Sequence, residues 1–459
     1  MKPMPLARVA QLVGGRLHGA DAVVDALSTD TRELVPGDGR ALLFVALKGE
    51  NFDAHDHLAQ AHERGAVAAL VSRVVDVPGL SQIVVAEPLA ALAALATAEQ
   101  REHAAKVVAI TGSNGKTSVK NLVASILSRA GETFATPGNR NNEIGMPLAV
   151  LATPDDARFA VYEMGTGAPG DIAYLTAIAP PHVALVNNVA PAHLERMGSL
   201  LAIADTKAAV YDDLRNDGVA IINADDAFAP YFAERAHGHR LIRFGLEQTA
   251  DVTAFDVDVH PDGVDFRLHT PLGDADIGLH MPGRHNLRNA LAAASIALGL
   301  GVDLDTIAEG LNAARPSKGR MLLHRLGNGA RLIDDSYNAN PGSVTAAIDW
   351  LAAQGGRGWL VLGDMRELGD DALQLHAGVG RHAANAGIDR VYALGALASE
   401  AARAFGEDGH VFESHAALAE ALRPALAEDV HVLIKGSRGS AMERVVTALL
   451  QGEDVSDAA

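Results

Sequence analysis

Seven residues with the sequence TGSNGKT, Thr111–Thr117, have the types and spacing that bind phosphate, between a predicted buried strand and a predicted helix. Phosphates are held by backbone N–H groups, close glycines and a helix N-terminus, with lysine as a point charge. Gly112 and Gly115 would let the backbone wrap, Lys116 would reach the β- and γ-phosphates, and Thr117 would ligate Mg²⁺. An isoleucine stands at the first glycine of the general G-x-x-x-x-G-K-[ST] pattern. The strand–loop–helix context still predicts a nucleotide site rather than a chance turn.

Two further strand ends carry possible ligands for a magnesium ion. Glu163 ends the apolar run FAVYEMG, and His193 follows VALVNNV in the loop APAHLE. Ligands of open parallel sheets bind outside the carboxyl ends of the strands, and Mg²⁺ prefers hard oxygen ligands. Each residue could also be an ordinary loop residue, one a solvated acid and the other a hydrogen-bonded histidine, and the two interpretations stay open.

Polar clusters elsewhere allow a binding and a plain interpretation. The segment DDSYNANP at 334–341 is more polar than a turn requires, which favours a ligand loop. Lys435, Ser437 and Arg438 lie between a strand and a helix, where they could bind a carboxylate or form a surface turn. GRHNLRNA at 283–290 could simply cap a helix, and Lys207 looks like a surface lysine of a helix. The loops STDTR and KGENFD offer hydroxyls and cations, or are merely solvated.

Composition limits the classes of function. The formal charge is −19, which argues against general binding to nucleic acid or to a membrane surface. The absence of cysteine excludes disulfides, thiolate metal sites and a cysteine nucleophile. No run approaches the roughly 18 apolar residues of a membrane span, and there is no apolar targeting segment at the N-terminus. We therefore expect a soluble cytoplasmic protein.

The elements that must position these residues alternate between strands and helices. Apolar runs predict strands such as 66–71, 107–110, 159–162, 183–186 and 432–434, separated by helical periodicity. This alternation predicts an α/β fold with three domains. The expected domains are a small α/β domain at 1–105, a central P-loop-type domain with a mainly parallel sheet at 106–317, and a Rossmann-like domain at 318–459.

Seven further motifs follow TGSNGKT along nearly the whole chain. They are GNRNNEIGMP, YEMG, NNVAPAHLE, MPGRHNLRNA, DDSYNANP, LGDMRELG and KGSRGSAME. In content and order they resemble the Mur ligases, whose phosphate loop characteristically lacks the first Walker glycine. DDSYNANP is similar to the motif found at this position in the branch of the family that adds D-alanyl-D-alanine. The branch that adds the third peptide residue typically has a histidine-containing loop there and a DNPR motif, which this chain lacks.

The resemblance implies roles for individual residues. Lys207 matches a lysine that Mur ligases carbamylate to make a metal-binding carboxylate. The catalytic set would be Lys116, Glu163, His193 and Lys207. The ligands of two Mg²⁺ ions would be Thr117, Glu163, His193 and carbamylated Lys207. The contacts to ATP would be Thr111, Gly112, Ser113, Asn114, Gly115, Lys116, Thr117, Asn289, Arg320, Asp335 and Asn338. The substrate contacts would be Ser28, Thr29, Asp30, Thr31, Arg32 and Lys48 for the UDP end, with Asn139, Asn141, Asn142, Lys435, Ser437 and Arg438 elsewhere.

The implied activity is an ATP-dependent amide ligation. The γ-phosphate of ATP would activate the terminal carboxylate of UDP-MurNAc-tripeptide as an acyl phosphate, which the amine of D-Ala-D-Ala attacks, completing the peptidoglycan precursor UDP-MurNAc-pentapeptide. We expect a monomer. Two alternatives remain: a folylpolyglutamate synthetase-type ligase, whose phosphate loop normally lies nearer the N-terminus, and a switch or transport ATPase, which would need no amine.

Overall fold

The structure is a computed structural model that describes residues 1–37, 39–191, 194–451 and 456–457. Within these residues the strands form a two-, a three-, a five-, a six- and a seven-stranded sheet. The larger sheets are mainly parallel and are flanked by helices, so the expected α/β class is confirmed. None of the helices in the described ranges is both long and apolar enough to cross a bilayer.

The N-terminal elements build a small sheet. Their bounds are β1 (Met4–Pro5), α1 (Leu6–Leu12), β2 (Arg16–His18), β3 (Val23–Val24), β4 (Ala26–Ser28), β5 (Leu42–Val45), α2 (Leu58–Glu63), β6 (Ala66–Val71), β7 (Ser81–Val84) and α3 (Pro88–Glu102). The five-stranded order is β2–β7–β6–β5–β4, with only the pairing of β2 to β7 antiparallel. Strand β6 has the predicted bounds because its Ala/Val/Leu run is buried.

The central elements build the sheet that carries the phosphate loop. Their bounds are β8 (Lys106–Thr111), α4 (Lys116–Ala130), β9 (Thr133–Ala135), α5 (Gly145–Leu151), β10 (Phe159–Glu163), α6 (Asp171–Ile178), β11 (Val183–Val186), α7 (Leu194–Met197), α8 (Leu200–Ala208), β12 (Val219–Asn223), α9 (Ala229–Arg235), β13 (Arg240–Phe244), β14 (Thr253–His260), β15 (Gly263–Thr270), β16 (Gly273–Leu279), α10 (Arg284–Gly299) and α11 (Leu304–Ala313). The six-stranded order is β13–β12–β11–β8–β10–β9, and every pairing in it is parallel. The ends of β8, β10 and β11 therefore lie side by side at one edge.

Helix α4 begins directly after the phosphate loop. Gly115 at its N-cap has φ +79°, and a Cβ there would lie 2.5 Å from Oδ1 of Asn289, so only glycine fits. Its apolar residues recur every three or four positions and are buried against the sheet and α10. The helix ends before Gly131, as the sequence predicts.

A three-stranded antiparallel sheet, β14–β15–β16, was not predicted. Strand β15 alternates strictly, with Val264, Phe266 and Leu268 buried and the residues between them exposed. This period of two is the signal of a half-buried strand and was present in the sequence. The buried face of this sheet packs in one core cluster with α10 and α11.

The C-terminal elements build the largest sheet. Their bounds are β17 (Leu322–Arg325), β18 (Arg331–Asp335), α12 (Pro341–Ala352), β19 (Arg357–Gly363), α13 (Ala372–Asn385), β20 (Arg390–Leu394), α14 (Ala398–Phe405), β21 (Gly409–Phe412), α15 (His415–Leu422), β22 (Val430–Lys435), α16 (Glu443–Leu450) and β23 (Ser456–Asp457). The order is β21–β20–β19–β22–β18–β17–β23, in which β17 pairs antiparallel with both of its neighbours. Asp335 and Lys435 are partners in the parallel register of β18 and β22, so the polar loops after these strands are adjacent.

Candidate functional site

A cavity of about 790 Å³ lies where the strand ends of the central and C-terminal sheets face each other. The central side contributes the phosphate loop, Glu163 and the N-terminus of α10. The C-terminal side contributes the loops after β18 and β22 and the first turn of α12. Loops predicted from distant parts of the sequence therefore meet in one site.

The phosphate loop is held in place by asparagines after β11. The side chain of Asn188 makes two hydrogen bonds to the backbone of Asn114. Its Oδ1 accepts from N of Asn114 at 2.8 Å, and its Nδ2 donates to O of Asn114 at 3.1 Å. Nζ of Lys116 donates to O of Gly112 at 2.6 Å, within its own loop. Burial lowers the pKa of Lys116, although the Glu163 carboxylate opposes this shift. A partly buried lysine at the N-terminus of α4 is suited to an anionic ligand.

Glu163 is the centre of a polar cluster. Its carboxylate accepts from Oγ1 of Thr117 at 2.7 Å and from Nδ2 of Asn141 at 2.8 Å. Nζ of Lys120 lies 3.8 Å from Oε2 of Glu163 and is itself buried. Lys120 was not predicted as a site residue, although a position four residues after Lys116 lies on the same face of α4.

The donor set fits a magnesium ion. A hydroxyl and a carboxylate lie together at the mouth of the phosphate loop, as a hard cation beside phosphates requires. His193, the other predicted ligand, lies outside the described residues.

Lys207 is not a surface lysine, so the plain interpretation of this residue is wrong. Its side chain in α8 is only 2% exposed. Burial, reinforced by the positive charge of Lys116, lowers the pKa of Lys207 well below its ordinary value. A neutral amine is the form of lysine that reacts with CO₂.

Asn289 and Arg320 both reach the phosphate loop region. Oδ1 of Asn289 accepts from Nδ2 of Asn187 at 3.2 Å, below the turn at Gly115. Nη2 of Arg320 donates to Oγ1 of Thr117 at 2.8 Å, and its guanidinium lies 4.2 Å from the ring centre of Tyr337. Arg320 thus contacts residues on both sides of the cavity.

The loops after β18 and β22 are joined by an ion pair. Nζ of Lys435 lies 2.6 Å from Oδ2 of Asp335 and donates to O of Asn338 at 3.0 Å. All three residues line the cavity, together with Arg438, which pairs with Glu443. Two cations at one strand end suit an anionic substrate group.

Some predicted residues do not line the cavity. Ser437 is buried, its Oγ donating to O of Ala339 at 3.3 Å and accepting from N of Arg366 at 2.8 Å. Thr111 is buried at the end of β8, and Gly112 faces Asn187. The cavity wall does include the remaining predicted loop residues, which are Ser113, Asn114, Asn139, Asn141 and Asn142.

A second cavity of about 490 Å³ lies in the N-terminal part. Its wall contains the predicted residues Thr29, Asp30, Thr31 and Arg32. It also contains Phe44, Phe52, His57 and Gln60, which were not predicted. Phe52 is 58% exposed and stacks on His57 with ring centres 4.9 Å apart, so a flat apolar face is available.

Two predicted residues of this region lie outside the wall of that cavity. Ser28 is buried and its Oγ donates to O of Asp30 at 3.2 Å, while Lys48 is exposed beside Asp53. An ion pair of 3.3 Å between Arg140 and Glu33 joins the loops next to the two cavities.

Comparison with known proteins places the chain in a family. The profile of the Mur ligase middle domain matches residues 110–297, and that of the Mur ligase glutamate ligase domain matches residues 319–438. The UDP-N-acetylmuramoyl-tripeptide–D-alanyl-D-alanine ligase of Escherichia coli K12 is 43% identical over 98% of this chain and 99% of its own length.

Solved structures agree with this similarity. A crystal structure of MurF from Acinetobacter baumannii superposes with a TM-score of 0.91 at 35% identity, covering 98% of this chain and 99% of that one. MurF from Thermotoga maritima in complex with ADP gives a TM-score of 0.82 at 27% identity, over 93% and 97% of the two chains. With the phosphate loop and the two-sided cavity described above, these similarities establish that the chain belongs to the Mur ligase family.

Proposed function

We propose that this chain is the ATP-dependent ligase that joins D-alanyl-D-alanine to UDP-N-acetylmuramoyl-tripeptide, forming the peptidoglycan precursor. The observation that carries this proposal is the two-sided cavity, where Lys116 and Thr117 lie in the wall opposite the cationic Lys435 and Arg438. Full-length relatives with this activity share 33–43% identity with the chain. ADP bound to the related Thermotoga enzyme supports ATP as the phosphate donor.

The chain's own residues would first activate the tripeptide. A free carboxylate is a poor electrophile because its leaving group would be oxide, and transfer of the γ-phosphate replaces it with phosphate. Lys116 and the N–H groups of its loop would neutralise charge that builds up during transfer. Asn289 and Arg320, with Asp335 and Asn338 opposite, would fix the nucleotide.

The amine of the dipeptide would then attack the acyl phosphate. We propose that Lys435 and Arg438 hold the dipeptide, since its carboxylate requires cations and both line the cavity. The hydroxyl of Ser437 is already used by the backbone, so we expect it to shape the loop rather than to bind the dipeptide directly. Closing the two sides together would exclude water from the acyl phosphate.

Two Mg²⁺ ions would be held by Thr117, Glu163, His193 and a carbamate on Lys207. Bound there, Mg²⁺ would neutralise phosphate charge. The burial and the lowered pKa of Lys207 support carbamylation, because an ammonium at this depth is costly and a neutral amine combines with CO₂.

We propose that the N-terminal cavity holds the UDP end of the substrate. A uracil ring fits the exposed face of the Phe52–His57 stack, and Arg32 lies in the same wall for a phosphate. We further propose domains at 1–105, 106–317 and 318–459, and a monomer. The strands of the corresponding sheets come from residues 4–84, 106–279 and 322–457.

The first test is the dependence of phosphate release on substrates. We expect release only when ATP, UDP-MurNAc-tripeptide and D-Ala-D-Ala are all present, because ATP is consumed to make the acyl phosphate. Phosphate and amide product are measured in the same reaction, with the dipeptide replaced by glutamate as a control. Rapid release with ATP and Mg²⁺ alone would indicate a switch ATPase, and turnover with a folate and glutamate would indicate the folylpolyglutamate synthetase-type reaction.

A further inference from the structure

Asn340 connects the C-terminal side of the cavity to the phosphate loop. Its Nδ2 donates to Oδ1 of Asn114 at 2.6 Å, across 226 residues of sequence. The same side chain caps α12, since its Oδ1 accepts from N of Ser343 at 2.9 Å. One amide group therefore uses its oxygen within the C-terminal part and its nitrogen to contact the nucleotide loop.

The backbone of Asn114 is already fixed by the central part. Its N donates to Asn188, and its O accepts from Nδ2 of Asn187 at 3.0 Å and from Nδ2 of Asn188 at 3.1 Å. Asn187 continues this network to Asn289 on α10. The side chain of Asn114 is thus the part of this residue that contacts the C-terminal side.

The first turn of α12 packs close to the loop at the same place. A Cβ on Gly342 would lie 3.9 Å from Cβ of Ala190 and 4.0 Å from Nδ2 of Asn114. Gly342 and Ser343 both line the cavity. Asn340 and Asn114 also line it, so their contact belongs to the wall of the two-sided cavity.

We propose that Asn340 is a positioning residue that couples seating of the C-terminal part to the geometry of the phosphate loop, an inference that rests on the proposed function. The contact aligns the loop when both sides of the cavity are together. Without it the C-terminal part seats less firmly, and water reaches the acyl phosphate. Hydrolysis of that intermediate releases the peptide carboxylate and phosphate, so phosphate is formed without amide product.

The variant Asn340→Ser tests this role. Serine keeps a capping oxygen for Ser343 but is too short to reach Asn114. We expect the ratio of phosphate released to amide formed to rise from one to at least about two, with kcat about tenfold lower. Asn114→Ala should do the same, and the double variant should be no worse than either single variant, because one contact is lost in each case. A ratio that stays at one, or effects that multiply in the double variant, would overturn the proposal.

Ser414→Ala is the matched control. Ser414 is the N-cap of α15, another helix of the C-terminal part, and its Oγ accepts from N of Ala417 at 3.2 Å. It lies outside the cavity wall. This variant should lower the melting temperature as a lost cap does and leave the ratio at one. A ratio that rises in Ser414→Ala as much as in Asn340→Ser would mean that loss of stability alone causes leakage, which overturns the proposal.

A cross-link measures seating without any turnover. The chain has no cysteine, and a Cβ on Gly342 would lie 3.9 Å from Cβ of Ala190, within the range of about 3.5–4.5 Å that a disulfide needs. In the Ala190→Cys/Gly342→Cys protein with ADP, we expect Asn340→Ser to slow oxidative cross-linking at least about threefold. An unchanged rate would overturn the role of Asn340. Absence of amide product in the unmutated chain would instead refute the proposed function, while the cross-linking comparison stays interpretable.

Discussion

Lys116 is the residue on which the proposed phosphate transfer would depend most directly. It belongs to the loop that lines the cavity, where its Nζ donates to O of Gly112. Lys116→Ala should cost at least about 3 kcal/mol of transition-state stabilisation, or more than about 100-fold in kcat/KM. Circular dichroism should be unchanged, since the residue packs in no core cluster. Lys106→Ala, at the exposed first residue of β8, is the control, and near-normal turnover of a folded Lys116→Ala would exclude the loop from catalysis.

Lys207 gives a second prediction, because a buried amine with a lowered pKa has no evident use as a cation. If it is carbamylated, Lys207→Ala should lose most activity and recover part of it with formate or acetate, which supply the missing carboxylate. Lys207→Arg should also be inactive, since guanidinium keeps its charge and is not carbamylated. Mass spectrometry and turnover with and without bicarbonate check this.

Lys106→Arg serves as the control for the Lys207 variants, since an exposed lysine should tolerate arginine. Full activity of Lys207→Arg would show that no carbamate is needed and would return Lys207 to a structural role.

At the scale of elements, the central sheet depends on how β8 and β11 begin. Nδ1 of His182, just before β11, accepts from N of Val107 in β8 at 2.9 Å. Burial, assisted by the charges of Arg215 and Lys106, lowers the pKa of His182 to about 4. Protonation removes this acceptor, so in acid N of Val107 loses its hydrogen bond at the start of the two paired strands.

The sign of the pH dependence follows from proton linkage. Between about pH 4 and the ordinary histidine pKa of 6.5, the unfolded chain binds more protons, so the free energy of unfolding falls as pH falls. We expect His182 to contribute about 1 to 2 kcal/mol of this loss, because its ring is only partly buried. His182→Asn, which keeps an acceptor but does not titrate, should flatten the urea-denaturation profile over this window. His18→Asn, at an exposed position, should not; equal profiles for both variants would refute the assignment.

At the scale of the whole molecule, the cores predict how the chain unfolds. One core cluster contains residues of both the N-terminal and central parts, whereas the two C-terminal clusters contain only residues after 320. Both tryptophans, Trp350 and Trp359, are buried in the C-terminal clusters. Tryptophan fluorescence should therefore follow a different urea transition from far-UV circular dichroism.

ADP with Mg²⁺ should raise the urea midpoint of both transitions, because the cavity has walls in both the central and the C-terminal part. The comparison is a ligand of the N-terminal cavity alone, such as UDP. It should raise mainly the urea midpoint of the transition seen by circular dichroism. Coincident transitions without ligand would contradict the separation of the cores.

The sequence by itself determined the α/β alternation, the strands around the phosphate loop and the family. Strand β6 follows from a continuous apolar run, and the buried face of α4 follows from apolar residues spaced three or four apart; both signals are local information. The same information was present for β15, where the alternation was overlooked. Motif order along the chain likewise required no structure.

Only the tertiary structure decided which polar residues are buried and which of them meet. Lys207 has the neighbours of a surface helix in the sequence, yet its side chain is enclosed by other elements. The pairs Lys435–Asp335 and Asn340–Asn114 are separated by 100 and 226 residues. The hydroxyl of Ser437 is turned inward, to the distant backbone of Ala339 and Arg366. Periodicity records which face of one element is apolar, whereas the burial of a single amine or amide depends on how distant elements pack against it.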